Sequence, residues 1–136
     1  MKKIFFTFFL LFIIFFTVIN SANEVEIFAD SINYDSNDNI IAKGNVKIID
    51  GDEILTSNIV IVNQKQNIFI LPEEFQYKDQ KDNYYYGTSG EFSTNFENGT
   101  INDLKMQLSD GSRIIGKKGI KTGNQDLIEK GVFSPC

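Results

Sequence analysis

IIAKGNVKIIDGDEIL, Ile40 to Leu55, alternates small or apolar residues with polar ones, turns on Asp50-Gly51-Asp52 and starts again. Successive side chains of an extended strand point to opposite faces. Ile40, Ala42, Gly44, Val46 and Ile48 therefore share one face, and Lys43, Asn45 and Lys47 the other. Asp-Gly tolerates the positive φ that a tight turn requires. The stretch reads as a β-hairpin, apolar on one face and wet on the other.

The same period runs through the rest of the chain, where apolar residues recur every second position far more often than every third or fourth. It predicts further strands over 24–29, 54–62, 67–71, 91–96, 100–108, 113–121 and 126–133. The connectors SNDN, DGD, NQKQN, ENG, SDG and TGNQ are turn chemistry, and Asn98-Gly99 fits a hairpin turn better than it argues for a glycosylation sequon. The segment from Leu71-Pro72-Glu73-Glu74 to Tyr84-Tyr85-Tyr86 breaks the rhythm and reads as a longer loop or an irregular edge. The expected fold class is all-β, an antiparallel meander of eight short strands. Three segments share one pattern, ADSINYDSNDNIIAKGNVKI, TSNIVIVNQKQNIFIL and GEFSTNFENGTINDLKMQL. Repeating a hairpin that cannot bury its own face is the logic of stacked β-structure. Ile54, Val60 and Val62 alternate with Leu55, Ile59 and Ile61, so this strand is either buried on both faces or lines an apolar groove.

With 136 residues the chain has room for one domain. Its apolar residues are concentrated in FFTFFLLFIIFFTVI, Phe5 to Ile19, preceded by Lys2 and Lys3 and followed by Asn20-Ser21-Ala22. That order is an export signal, expected to end at Ala22 and leave 23–136 as the domain. A retained membrane anchor is the alternative, since the run falls just short of a spanning helix. Losing Lys2 and Lys3 with the leader takes the net charge from −5 to −7. An acidic surface argues against nucleic acid, whose phosphates call for basic patches.

The chain has no histidine, so it holds neither a Ser-His-Asp nor a Cys-His triad and lacks the commonest zinc ligand. No metal or cofactor is expected. Asp30, Asp35 and Asp38, with Asp50, Asp52 and Glu53, suggest calcium, but they lack the EF-hand spacing and suit tight turns. Glu24 with Glu26 and Glu73 with Glu74 are read as solvated charge rather than as glycosidase acids. Tyr84-Tyr85-Tyr86 is read as a structural anchor with an apolar body and a wet tip. Lys117-Lys118 is read as a guard on an exposed strand edge. Cys136, the only cysteine, cannot close an internal disulfide: it is free, paired with another chain, or the first member of a disulfide whose partner lies beyond this end.

The run IFADSINYDSNDNIIAKGNVKIIDGDEILTSNIVIV resembles the OstA-like module of the lipopolysaccharide-transport family, in which an ADS…Y…N…A.GNV.I..G…L.S hairpin recurs; the likeness continues more loosely over 91–133. It implies an open, twisted antiparallel β-jellyroll of repeated hairpins behind the N-terminal signal helix. The implied function is non-enzymatic: a periplasmic module that carries the lipid A acyl chains of lipopolysaccharide in an apolar groove toward the outer membrane. Its implied partners are lipopolysaccharide, other modules of the family joined by edge-strand pairing, and an outer-membrane β-barrel. The alternative is a structural module that docks such partners without carrying lipid. By parity, the resemblance places Ile32, Tyr34, Ile40, Ala42, Val46, Ile48, Ile59, Ile61, Leu104, Met106 and Leu108 along the lipid. The ending GVFSPC resembles the point at which assembly members of the family meet a cysteine pair, so the chain reads as part of such a protein, with a free-standing bridge module and a membrane-anchored form as the alternatives.

Overall fold

A computed structural model describes residues 24–135; the expected signal over 1–22 and Cys136 lie outside the described residues. Among them are twelve strands and no helix: β1 (Glu26–Phe28), β2 (Ser31–Tyr34), β3 (Asn39–Asp50), β4 (Glu53–Asn63), β5 (Ile68–Leu71), β6 (Phe75–Lys78), β7 (Tyr84–Gly87), β8 (Ser89–Ser93), β9 (Asn98–Gln107), β10 (Arg113–Thr122), β11 (Gln125–Glu129) and β12 (Val132–Ser134). All pair antiparallel in one sheet. The long hairpin β3–β4 is flanked by β1 and β2 on one side and by β5 and β6 on the other, and the long hairpin β9–β10 by β7 and β8 and by β11 and β12.

Those two halves repeat each other. Ser31↔Lys43 to Tyr34↔Ile40 between β2 and β3 is matched by Ser89↔Asn102 to Phe92↔Gly99 between β8 and β9. Val62↔Phe69 between β4 and β5 is matched by Lys121↔Asp126 between β10 and β11. The first and third segments of the sequence repeat thus occupy equivalent places, whereas the second corresponds to RIIGKKGIKTGNQDLI, which the three-segment reading left out. The halves join where β5 pairs β8 and β6 pairs β7. At the two ends of the sheet, β1 and β2 bond only to β3, and β11 and β12 only to β10. The result is a jellyroll that curls around one core and stays open between its end strands.

Each long hairpin carries left-handed backbone midway. Register shifts between Lys43 and Val46, where β3 carries Gly44 (φ 80°) and Asn45 (φ 47°) against a single β4 residue. The Asp30 amide donates to the Gly44 carbonyl at 2.8 Å, and Asn45 Nδ2 donates to Asp30 Oδ2 at 3.0 Å, so the β1–β2 link clamps the bulge. In the other half Asp103 stands at φ 52°, the Thr88 amide donates to the Asn102 carbonyl at 3.0 Å, and Thr88 Oγ1 donates to Asp103 Oδ2 at 2.8 Å. A bulge bends its strand and shifts the alternation of faces by one residue. Leu55 and Ser57 accordingly pair with Ile48 and Val46, whereas farther along β4 it is Val60 and Val62 that pair with Ala42 and Ile40.

Several expectations need correction. The 71–86 segment is not a loop: after Pro72 it forms β6 and β7, a hairpin across Asp79–Asn83. Its turn copies the one at Asp35–Asn39. In each, the leading aspartate accepts from the amides two and four residues on, at 2.8–3.0 Å, and from the terminal asparagine side chain at 3.0 Å. Asp38 and Asp82 take the left-handed position at φ 60° and 62°. The expected strand 126–133 is two strands, broken at Lys130 (φ 50°) and Gly131. Asn98-Gly99 is not a turn; the reversal lies just before it, with Phe96 at φ 58°, and both residues begin β9. Lys117-Lys118 lies on β10, which is paired on both sides and is not an edge.

Two glycines separate packing from backbone strain. A Cβ on Gly99 would stand 2.6 Å from the Phe92 ring and 2.9 Å from the Glu91 carbonyl, whereas one on Gly123 (φ 53°) would meet nothing within 4 Å. Gly99→Ala is expected to cost about 1–3 kcal/mol through overpacking, and Gly123→Ala about 1–2 kcal/mol through left-handed backbone strain alone. Urea denaturation checks both; unchanged stability of Gly99→Ala would contradict the close Phe92 contact.

Candidate functional site

Strands β5, β6, β7 and β8 each turn at least one aromatic residue inward: Phe69, Phe75 and Tyr77, Tyr85, and Phe92. Tyr77 stacks on Phe96 with ring centres 5.1 Å apart and planes at 16°, and also meets Phe92 at 5.0 Å and Tyr85 at 5.4 Å; Phe69 and Phe75 extend the group. All six rings are buried. Beside them opens a cavity of about 810 Å³ where four turn regions converge, those around Glu53, Asp79–Asn83, Asn95–Glu97 and Gly123–Asp126. Phe96, Tyr85, Met106 and Leu108 supply its apolar wall, and Glu53, Asp79, Asp126 and Lys121 are among its polar lining.

The polar wall is hydrogen-bonded to the aromatic one. Tyr77 Oη donates to Glu53 Oε1 at 2.8 Å. Tyr85 Oη lies 3.1 Å from Asp126 Oδ2 and 3.3 Å from Asp79 Oδ2, so its single proton faces two carboxylates. Burial, reinforced by these carboxylates, pushes both phenols far above the ordinary tyrosine range, and they remain donors throughout physiological pH. Burial also raises Glu53, with Asp50 and Asp79 acting in the same direction and the Tyr77 hydroxyl and Lys121 opposing it. Elsewhere the turn carboxylates are held low by amides and hydroxyls: Asp35 by Asn39 and Asn37, Asp110 by Ser112.

Of the residues placed along the lipid by parity, Ala42, Val46, Ile48, Leu104 and Met106 are buried in one cluster, and Ile40 and Leu108 pack against it. Met106 and Leu108 reach the cavity. Ile32 and Tyr34 pair with Ala42 and Ile40 and so share their face, but β2 has no outer neighbour and they stand 48 % and 73 % exposed. Ile59 and Ile61 are different: they pair with Lys43 and Ile41, on the opposite face from Val60 and Val62. The bulge at Gly44-Asn45 is the physical reason, because it moves β4 by one residue relative to a strict alternation. Parity reasoning also missed Tyr77, Tyr85 and Phe96, which lay inside or beside segments read as loop and turn. The period-two pattern of Phe75 with Tyr77, and of Tyr85 with Gly87, was the available signal.

The LptA/(LptD N-terminal domain) LPS transport protein family matches residues 26–129 of this chain. Among solved structures the fold is similar to that of LptH, the LptA-homologous periplasmic component of the conserved lipopolysaccharide transport device of Pseudomonas aeruginosa. The TM-score is 0.64 at 17 % identity, over 83 % of this chain and 82 % of that one. No curated protein matches the sequence.

Glu53 binds its proton more tightly in the folded chain than in the unfolded one. Its contribution to stability is therefore complete below the ordinary glutamate value and falls away as pH rises through the folded value. Glu53→Gln keeps an acceptor for Tyr77 and removes this titration. The melting temperature of the variant is expected to gain on the wild type between about pH 4 and about pH 7; thermal melts across that range check it, and a constant difference would contradict the raised carboxylate.

Proposed function

The chain belongs to the LptA/LptD N-terminal-domain family of lipopolysaccharide-transport proteins, and from that membership we propose that its cavity receives lipid A acyl chains while its two free edges join it to neighbouring modules. Residues 1–22 act as the signal that delivers 23–136 to the periplasm. The chain carries its cargo without transforming it.

The cavity is the observation that carries this reading. Its volume of about 810 Å³ lies within the range of about 300–1,000 Å³ usual for ligand sites. Met106, Leu108, Phe96 and Tyr85 offer apolar surface, on which each buried methylene gains about 0.8 kcal/mol. Met106 is an unbranched, adaptable side chain suited to a flexible chain of varying position.

The edges support a docking role. Phe28, Ile32 and Tyr34 at one end and Leu127, Val132 and Phe133 at the other are exposed large apolar residues, Phe133 by 60 % and Val132 by 67 %. The chain already contains the joint they would form. Internally, Leu71 pairs with Gly90 and Tyr77 with Tyr85. By the internal repeat, Ile128 and Phe133 take the places of Leu71 and Tyr77, and Ile32 and Ile27 those of Gly90 and Tyr85. A neighbouring module of this family, or the edge of an outer-membrane barrel, would then add strands in the same antiparallel register.

Two measurements test the reading. A photo-crosslinking residue at Met106 or Leu108 is expected to label lipopolysaccharide in cells, and one at Lys43 or Lys47 is not; labelling of the lysine face alone would contradict the cavity assignment. In a Cys136→Ser background, mixing Ile32→Cys with Ile128→Cys chains is expected to give an oxidised heterodimer. Failure of that pair to link, while either chain still binds lipid, would remove the proposed joint and leave the cavity assignment standing.

A further inference from the structure

Strand β11 is an end strand of the sheet, held by five backbone pairs to β10. It hydrogen-bonds to β10 along one side only, and Gln125, Asp126 and Leu127 are exposed. Ile128 packs against the core, and the preceding turn is pinned by the Gly123 amide to the Glu97 carbonyl at 2.8 Å. Beyond these, one side-chain hydrogen bond reaches β11 among the described residues: Tyr85 Oη to Asp126 Oδ2, from a strand 41 positions away in the chain. The same hydroxyl faces Asp79 Oδ2 in the β6–β7 turn. All three residues line the cavity. One phenol thus ties the last strands of the sheet to the hairpin on the opposite wall.

We propose that the Tyr85–Asp126 hydrogen bond is a latch on the cavity, holding β11 across its mouth and releasing it for lateral loading of an acyl chain; this rests on the acyl-chain reading of the cavity. The geometry suits a reversible tie. Tyr85 has one proton and two acceptors, so letting go of Asp126 leaves its hydroxyl bonded to Asp79, while the Asp126 carboxylate turns to water. No buried polar group is orphaned by opening, so release costs the net worth of one ordinary hydrogen bond without the further penalty of an unsatisfied buried group. The break at Lys130 (φ 50°) and Gly131 separates β11 from β12, so β11 can move while β12 keeps its register with Arg113–Ile115. Tyr77, by contrast, bonds Glu53 across the adjacent strands β4 and β6 and ties no free edge.

Hydrogen exchange on the lipid-free chain tests the latch directly. Tyr85→Phe preserves the ring, and Asp126→Ala removes the partner. Each is expected to speed exchange of the β11 amides about three- to ten-fold, the factor an ordinary hydrogen bond supplies; the double variant should show no further increase, and Tyr77→Phe should leave β11 unchanged. Wild-type exchange in Tyr85→Phe, or single effects that multiply in the double variant, would overturn the latch. Stopped-flow uptake of the fluorescent fatty acid cis-parinaric acid then separates the two ideas. Faster uptake by Tyr85→Phe supports the gate, uptake at the wild-type rate overturns the gate alone, and no uptake by any variant overturns the acyl-chain reading together with the gate.

Discussion

A sheet that curls around a core without closing has two end strands whose outer backbone groups stay unpaired, and most of this structure follows from how that constraint is met. The β1/β2 end and the β11/β12 end never bond to each other. An exposed edge invites pairing with another chain. Here each end is split into two short strands by Asp30 or by Lys130-Gly131, and each carries exposed apolar side chains. The first feature limits indiscriminate pairing, and the second is the surface the proposed docking would use. The same openness leaves room inside, since a closed barrel of this size would be filled by its own side chains.

Left-handed backbone interrupts both long hairpins midway, and in β3 it makes a bulge that bends the strand. At Gly44-Asn45 and at Asp103 the backbone takes left-handed conformations that only a few residue types tolerate well. Asp30 and Thr88, each sitting between two short strands, hold those conformations by the same amide-to-carbonyl bond. Between the two hairpins, aromatic residues from β5 to β8 converge with Phe96 on one cluster. That cluster fills one part of the interior and supplies the wall of the cavity in the other.

Much of this was legible from residue order. The alternation around Ala42, Val46 and Ile48 identified the inner face, and Asp50-Gly51-Asp52 placed a turn where Gly51 does adopt φ 60°. The strand-rich class and the family resemblance followed from those features and from the absence of a helical period. The inner face of β4 did not follow, because the bulge that interchanges Ile59 and Ile61 with Val60 and Val62 depends on a long-range bond from Asp30. The β6–β7 hairpin was hidden by Pro72 and its charged neighbours. It could have been found, since DQKDN at 79–83 repeats the aspartates and asparagine of DSNDN at 35–39. The tyrosine–carboxylate wall was out of reach of local reasoning: Tyr85 and Asp126 are 41 positions apart, and only the curl of the sheet brings them together.

The central claim is that acyl chains lie against the inner wall at Met106. The chain has two methionines, Met1 and Met106, so labelling methionine methyl groups with carbon-13 gives a single reporter inside the cavity. On titration with lipid A, the Met106 methyl resonance is predicted to shift and to show nuclear Overhauser contacts to acyl methylenes. Saturable binding of lipid A that leaves the Met106 resonance in place and without such contacts would contradict the account.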